Sequence, residues 1–320
     1  MISSPWQIIF FGTPSFAIPA LRSLLLGPDQ VVAVVTQPDR ERGRGRGGGK
    51  GREVLPCPVK ELALQNELPV LQPEKVTESI FQEVLRRFHP DLFVVVAYGQ
   101  ILPKSILKIP RHGAVNVHAS LLPKYRGAAP IAWAILKGEK VTGMTTMMMD
   151  EGMDTGGILL QKAIPIGKGE ASETLHDKLA ALGAQLLLET LEKMKAGNLR
   201  PIPQEHSKAT YAPPLKKVDG RIDWKKEAIE IDRQVRAFNP WPGAFTEWEG
   251  RFLRICKGEV REGTSVGKAG AVLWAGSDFV EVGAGKGSFV IREVQIEGKR
   301  RMNMRDFLSG HPIAVGTVFG

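Results

Sequence analysis

A chain of 320 residues exceeds the size at which one hydrophobic core usually stops growing, so two domains are expected. Hydrophobic residues make up 43% and charged residues 24%, and neither the 35 glycines nor the 22 prolines follow a collagen-like period, which excludes wholesale disorder. The net charge of +9 is concentrated in residues 40–52, which carry +5, and in the chain from residue 198 onward, which carries another +5. This distribution indicates an anionic partner such as nucleic acid, and a solvated basic surface is the alternative.

No apolar stretch approaches the roughly 18 to 20 residues needed to cross a bilayer, because the longest, 92–98, has only the length of a strand. The amino terminus lacks a basic region followed by a long apolar segment, so neither secretion nor membrane insertion is expected. Cys57 and Cys256 lie in different halves of the chain and form neither a disulfide framework nor a zinc spacing. We therefore expect a reducing, cytoplasmic setting.

The first half alternates apolar runs of strand length with segments that carry apolar residues at helical spacing. Strands are predicted at 7–12, 31–36, 92–98, 114–118 and 141–149. Helices are predicted at 15–26, 59–66, 74–88 and 129–137. This alternation indicates an α/β domain, a largely parallel sheet with helices on both faces, whose ligands bind beyond the carboxyl ends of the strands.

The character of the chain changes after a long predicted helix, 172–196, which Ser172 caps and Gly197 ends. Four prolines among polar residues indicate a linker at 198–215. A helix at 228–237 and short strands separated by glycines then predict a small β-barrel or sandwich, whose core is expected to include Trp224, Trp241 and Trp248. The predicted division is a catalytic domain at 1–197, the linker at 198–215 and a smaller domain at 216–320.

The basic loop at 40–52 contains Gly43, Gly45 and Gly48, which match the letters of a dinucleotide-binding fingerprint. We reject that motif, because it requires a tight turn leading directly into a helix, whereas arginines alternate with glycines here for a dozen residues. The spacing of the guanidinium groups instead suits contact with successive phosphates. A disordered, solvated loop remains the alternative.

The densest group of reactive side chains follows the predicted strand 114–118, where Asn116 and His118 point to the same side. Glycines in the loop after the strand 141–149 allow Asp154 to approach His118. An amide, an imidazole and a carboxylate at strand ends are suited to acyl transfer without a covalent enzyme intermediate, although a structural His118 is the alternative. Ser120 and Cys57 are weaker candidates for a nucleophile, and the six histidines show no metal-binding pattern.

The stretches 116–127 (NVHASLLPKYRG) and 150–156 (DEGMDTG) resemble the core of the formyltransferases and hydrolases that use 10-formyltetrahydrofolate. The resemblance covers nearly the whole chain. It is closest to the branch of that family that formylates initiator methionyl-tRNA, because four further segments match: 11–14 (FGTP), 36–40 (TQPDR), 96–99 (VAYG) and 236–242 (RAFNPWP).

This resemblance implies a Rossmann-like domain that binds the folate donor, followed by a smaller OB-like β-barrel domain that helps to hold tRNA. It places a catalytic triad at Asn116, His118 and Asp154. The folate-binding positions that it implies are Ser120, Leu121, Leu122, Pro123, Gln100, Ile101, Leu102 and Asp150. The tRNA-binding positions that we expect are Arg40, Arg42, Arg44, Arg46, Lys50, Lys208, Lys216 and Lys217.

Two departures from the family pattern are visible. The basic loop is longer and richer in Gly and Arg than in typical members, and Ala119 stands where relatives often have Gly or Pro. The resemblance further implies that the partners are initiator methionyl-tRNA and folate, with no metal and no membrane, and we expect a monomer. The alternatives are a formyltransferase for a 4-amino nucleotide sugar, a formyltetrahydrofolate hydrolase, a glycinamide ribonucleotide formyltransferase and a non-enzymatic RNA-binding protein.

Overall fold

The computed structural model describes residues 4–39, 55–261 and 267–320. They divide into two compact units. The first consists of the described parts of Met1–Gly127, Thr142–Ile164 and His176–Tyr211, and the second of the described parts of Ala128–Val141, Pro165–Leu175 and Ala212–Gly320. Within the described ranges, no helix combines the length and apolar character needed to span a membrane.

The first unit is built on a sheet of seven described strands in the order β3-β2-β1-β4-β5-β6-β7. The strands are β1 (Gln7–Gly12), β2 (Gln30–Val35), β3 (Val70–Leu71), β4 (Leu92–Val96), β5 (Ala114–His118), β6 (Val141–Met148) and β7 (Ile158–Pro165). The pairs from β3 to β5 are parallel, whereas β6 runs antiparallel to β5. The strand order reverses between β1 and β4, which creates the crevice where ligands of such sheets bind.

Helices cover both faces of this sheet. The helices are α1 (Ile18–Leu25), α2 (Pro58–Gln65), α3 (Ser79–Arg87), α4 (Lys104–Leu107) and α6 (Ser172–Lys195). Phe81 of α3 and Ile106 of α4 pack with Phe93 on one face. On the opposite face α6 lies so close that a Cβ added at Gly183 would be 3.1 Å from Val117. Because both faces are covered, every residue of β4 is buried, which explains its uninterrupted apolar sequence LFVVV.

The described residues of the second unit form an antiparallel sheet and three α-helices. Its strands are β8 (Ala244–Trp248), β9 (Arg251–Arg261), β10 (Val272–Ala275), β11 (Val280–Gly283), β12 (Ser288–Ile296) and β13 (Met302–Asn303). Its helices are α5 (Pro130–Leu136), α7 (Ala228–Ala237) and α8 (Met304–Gly310). The described strands follow the order β10-β11-β12-β9-β8, and α7 and α8 contribute Ile231 and Phe307 to the core beneath them.

Residues 316–320 bridge β10 and β8, the first and last strands in this order. Val272 of β10 donates a backbone hydrogen bond to the carbonyl of Thr317, and Gly320 exchanges two backbone hydrogen bonds with Glu247 of β8. Phe319, only 3% exposed, fills the core beside Trp224. The segment therefore closes the sheet into a barrel-like arrangement, as expected for an OB-like domain.

The fold class predicted from the sequence is confirmed, a mostly parallel α/β domain followed by a separate antiparallel β domain. Two details of the prediction are wrong. Trp224 and Trp248 are core residues, but Trp241 is 59% exposed, because it lies in the turn between α7 and β8 rather than on a strand. Ser172 is the first residue of α6 rather than its cap.

Candidate active site

The strand β5 carries the first two candidate residues at its carboxyl end. Asn116 and His118 alternate with Val115 and Val117, so both project to the side opposite α6. Asn116 is partly exposed and His118 is 6% exposed. The neighbouring strands fix both residues, because β5 pairs in parallel with β4 and antiparallel with β6.

The loop between β6 and β7 brings the carboxylate to this strand. Met148 donates a backbone hydrogen bond of 2.9 Å to the carbonyl of Gly157, which closes the loop at its base. Inside the loop, one oxygen of Asp150 accepts hydrogen bonds from the amide of Gly152 and from the hydroxyl of Thr155. Asp150, predicted to bind folate, is therefore an exposed residue that shapes the loop around Asp154.

Asp154 meets both residues of β5 through a single oxygen. Its Oδ1 lies 3.4 Å from Nδ2 of Asn116 and 3.6 Å from Nδ1 of His118. Its Oδ2 accepts a hydrogen bond of 2.7 Å from the backbone amide of Gly127. The backbone of Asp154 has a left-handed φ of 54°, a conformation that costs free energy for most residues and that Asp tolerates better than most. The structure thus brings the three candidate catalytic residues together.

The other ring nitrogen of His118 is held by the protein. Nε2 lies 2.9 Å from the carbonyl oxygen of Tyr125. A carbonyl can only accept, so Nε2 carries a hydrogen, and Nδ1 is the ring nitrogen that faces Asp154. The contacts of Tyr125 with His118 and of Gly127 with Asp154 could not be predicted from sequence spacing. Both are made by backbone groups, so the side-chain types at 125 and 127 do not indicate them.

The predicted folate-binding stretch 120–123 forms a tight turn after β5. Ser120 is fully buried and its hydroxyl donates a hydrogen bond of 2.6 Å to the carbonyl of Lys124, so it is not oriented as a nucleophile. Leu122 is held through its amide by Thr145 and through its carbonyl by Gln161. The other two residues of the stretch, Leu121 and Pro123, are partly exposed.

The second predicted folate-binding stretch, 100–102, follows β4. The side chain of Gln100 bonds to the amide of Val76 and to the carbonyl of Glu74, so it anchors the loop. Ile101 is 65% exposed and Leu102 is buried in the core. In this stretch the side chain of Gln100 therefore holds the loop in place, whereas that of Ile101 is exposed.

Two buried polar atoms near this loop have no hydrogen-bond partner among the described residues, Nε2 of Gln37 and the hydroxyl of Tyr98. Burial raises the pKa of the Tyr98 phenol, so it remains a neutral donor. Gln37 is tied to the same loop, because its Oε1 accepts a hydrogen bond of 3.4 Å from Gln100. Of these two donors, Gln37 lies at the carboxyl ends of the strands, because its backbone amide donates to the hydroxyl of Thr13 just after β1. An unpaired buried donor in that position is a group that a polar ligand could satisfy.

The predicted tRNA-binding residues of the basic loop lie outside the described residues; they are Arg40, Arg42, Arg44, Arg46 and Lys50. Asp39, just before the loop, is partly buried, and despite this burial its hydrogen bonds with Lys60 and Gln72 hold the pKa of its carboxyl below the ordinary value. The three lysines near the predicted linker are exposed, namely Lys208, Lys216 and Lys217.

Within the described part of the chain, no three side chains of the His, Cys, Asp or Glu type lie where they could hold a metal ion.

Comparison with known families gives a match over most of the chain. Residues 6–191 match the formyl transferase model and residues 214–312 match the model of the formyl transferase C-terminal domain. A protein of Geobacter sulfurreducens named methionyl-tRNA formyltransferase is 49% identical over 314 residues, which cover 98% of this chain and 96% of the relative. A protein of the same name from Desulfotalea psychrophila is 51% identical over 312 residues, covering 98% and 95%.

Solved structures share the fold at lower identity. WlaRD, a sugar 3N-formyl transferase, aligns with a TM-score of 0.66 at 20% identity, covering 92% of this chain and 99% of that one. HypX from Aquifex aeolicus, solved in complex with tetrahydrofolic acid, aligns with a TM-score of 0.62 at 20% identity. That alignment covers 95% of this chain, which spans about half of HypX, 47% of its length.

Proposed function

Because the chain belongs to the formyl transferase family, we propose that it transfers the formyl group of 10-formyltetrahydrofolate to the α-amino group of methionine on initiator tRNA. The product is N-formylmethionyl-tRNA, which serves translation initiation. The observation that carries this function is the match to methionyl-tRNA formyltransferases over 98% of the chain, both units included, at about half identity. The enzyme acts in the cytoplasm as a monomer.

The folate supplies an activated formyl group, and the residues of this chain bind and orient it. The backbone of 100–102 and the turn 120–123 flank the carboxyl ends of β4 and β5, where donors of this sheet class bind. The unpaired side-chain nitrogen of Gln37 supports a polar ligand at this crevice. Asp150 contributes by holding the loop that carries Asp154.

Attack of the methionyl amine on the formyl carbon places a negative charge on the formyl oxygen. Asn116 donates a hydrogen bond to this oxyanion. The side-chain amide of Asn116 is suited to this role because it is partly exposed at the end of β5 and oriented by a contact with Asp154. Removing one such donor typically lowers the rate by about 10²- to 10³-fold.

His118 and Asp154 manage the proton. With Nε2 held by Tyr125, the Nδ1 atom of His118 faces the carboxylate and carries the proton while the oxyanion exists. The charged imidazole stabilises the oxyanion. Asp154 balances that charge and orients the water that relays the proton from the attacking amine to N10 of the folate. The oxyanion then collapses, the bond between the formyl carbon and N10 breaks, and tetrahydrofolate leaves with the proton on N10. Loss of an imidazole in such a role costs on the order of 10²- to 10⁴-fold in rate.

The tRNA is held by positive charge on both sides of the predicted linker. The basic loop contributes Arg40, Arg42, Arg44, Arg46 and Lys50, and Lys208, Lys216 and Lys217 contact the acceptor arm. Support comes from the charge of +5 in residues 40–52 and from the exposure of all three lysines. Phosphate contacts of this kind contribute affinity and little sequence specificity.

The direct test supplies 10-formyltetrahydrofolate together with one of three acceptors: initiator methionyl-tRNA, a 4-amino sugar nucleotide or water. We expect rapid formation of formylmethionyl-tRNA and turnover with the other two acceptors lower by at least about 10²-fold, the discrimination that a tRNA-specific site requires. Faster formylation of the sugar nucleotide, or release of formate at a similar rate, would overturn the proposed acceptor.

The assigned roles are tested by Asn116→Ala and His118→Ala, with Asn66→Ala as the matched control. The side chain of Asn66 donates a hydrogen bond to the carbonyl of Leu62 near the end of α2, and its replacement is expected to leave turnover unchanged. The two site variants should lose at least 10²-fold in turnover and keep their affinity for tRNA. Either variant retaining more than about a tenth of wild-type turnover would contradict its role.

Replacement of Arg42, Arg44 and Arg46 by Ala tests the basic loop through salt dependence. Each lost phosphate contact should lower the slope of the logarithm of the binding constant against the logarithm of salt concentration by about 0.7 to 0.9. An unchanged slope would mean that the loop is solvated and does not contact RNA.

A further inference from the structure

A buried glutamine from the segment after α6 holds the backbone of the loop that carries Asp154. Gln204 is 6% exposed, and its Nε2 donates hydrogen bonds of 2.8 Å to the carbonyl of Asp154 and 2.7 Å to the carbonyl of Gly156. Its position in the chain, 50 residues beyond Asp154, gives no sign of this contact. We propose that Gln204 is a positioning residue that sets the orientation of Asp154 in the catalytic site, an inference that rests on the proposed function.

Arg126 determines which way the amide of Gln204 points. Arg126 is 2% exposed, and its Nε and one terminal nitrogen donate to Oε1 of Gln204 at 3.1 and 2.7 Å. Its other terminal nitrogen lies 3.2 Å from Nδ1 of His206, which accepts. Since a guanidinium can only donate, the oxygen of Gln204 must face Arg126 and the nitrogen must face the two carbonyls. The orientation of the amide is therefore fixed chemically.

These contacts hold Asp154 from two directions. Gly127, the residue after Arg126, donates its amide to Oδ2 of the carboxylate, while Gln204 binds the backbone carbonyl of Asp154 itself. The backbone at Asp154 is left-handed, a conformation that needs support from its surroundings. Without Gln204 the loop loses two of its anchors, and Oδ1 is free to move away from Asn116 and His118.

The amide of Gln204 has no capacity left for substrate. Both of its hydrogens are used on the two carbonyls and its oxygen accepts twice from Arg126. It therefore acts only through the loop. This distinguishes it from Asn116, whose side chain is partly exposed at the same site.

The test measures single-turnover formyl transfer to methionyl-tRNA for Gln204→Leu and Gln204→Glu, in the wild-type background and with Asp154→Asn. Glutamate keeps the contact with Arg126 but cannot donate to the two carbonyls. A misplacement of about 1 Å costs roughly 10²-fold in rate, so both variants should lose about that factor in the maximal single-turnover rate, with little change in the enzyme concentration that gives half of it. In the Asp154→Asn background the same substitutions should cost less than about threefold, because the residue they position is already disabled.

Gln234→Leu is the matched control. Gln234 is 7% exposed and its Nε2 also donates to two backbone carbonyls, those of Asp219 and Arg221, within the second unit. Both Gln204→Leu and Gln234→Leu remove two buried hydrogen bonds, so both should lower the unfolding temperature. Gln234→Leu should leave the single-turnover rate unchanged.

Equal losses in both Asp154 backgrounds, or a rate for Gln204→Glu within threefold of wild type, would overturn the positioning role. If Gln204→Leu does not fold, Gln204→Glu alone decides. An inactive wild-type protein would instead refute the proposed function, so the two failures are distinguishable.

Discussion

Gly156→Ala is expected to disable the site through a backbone clash. A Cβ built at Gly156 lies 1.8 Å from the carbonyl oxygen of Met148, whereas real Cβ atoms stay at least 3.0 Å from such atoms. The alanine must therefore withdraw by the difference, about 1.2 Å, and the obstacle is backbone of β6 that cannot rotate away. Asp154 lies two residues earlier in the same loop and moves with it, and a misplacement of about 1 Å lowers the rate by roughly 10²-fold.

The assay is the initial rate of formylmethionyl-tRNA formation at saturating donor and acceptor, with circular dichroism to confirm folding. Gly310→Ala is the control, because an added Cβ there meets no atom within 4 Å, and its rate should equal that of wild type. A folded Gly156→Ala protein whose rate stays within about threefold of wild type would refute the link between loop placement and catalysis.

Three predictions concern stability and reactivity. Lys195→Met removes the cation paired with Asp29, a nearly buried carboxylate, and should lower the free energy of unfolding by about 3 kcal/mol; a loss below about 1 kcal/mol in urea titration would contradict this. Burial raises the pKa of the Cys256 thiol, so iodoacetamide at about pH 8 should alkylate it at least tenfold more slowly than free cysteine, and equal rates would indicate an accessible thiolate. Trp224→Phe loses the indole hydrogen bond to Thr246 and should cost about 1 kcal/mol, measured as a shift in urea midpoint, with no shift arguing against that bond.

The sequence predicted those elements whose apolar pattern matches their burial. The bounds predicted for β1, β5 and α7 are those observed. By contrast β7 was missed, because only Leu159 is fully buried along Ile158–Pro165 and the mixed polar pattern gives no strand period. The predicted helix 74–88 begins only at Ser79, because residues before it are fixed by the long-range contact between Val76 and Gln100.

The candidate site was predictable to the extent that it depends on side-chain chemistry at strand ends. Asn116 and His118 follow from alternation along one strand, and the approach of Asp154 follows from a glycine-rich loop after the adjacent strand. The partners that fix their orientation are backbone groups or distant residues, such as the carbonyl of Tyr125 and the amide of Gln204. No spacing rule relates these to the catalytic residues, so only the folded chain reveals them.

Residues 316–320 cover backbone hydrogen-bonding groups at the edges of β10 and β8 in the second unit. Val272 and Glu247 bond to this segment, so neither β10 nor β8 presents a free row of amides and carbonyls along these positions. Cleavage ahead of Gly316 would expose both rows at once, and exposed strand edges recruit strands from other molecules. By occupying these positions on both β10 and β8, residues 316–320 leave no place there at which a strand of another molecule could pair.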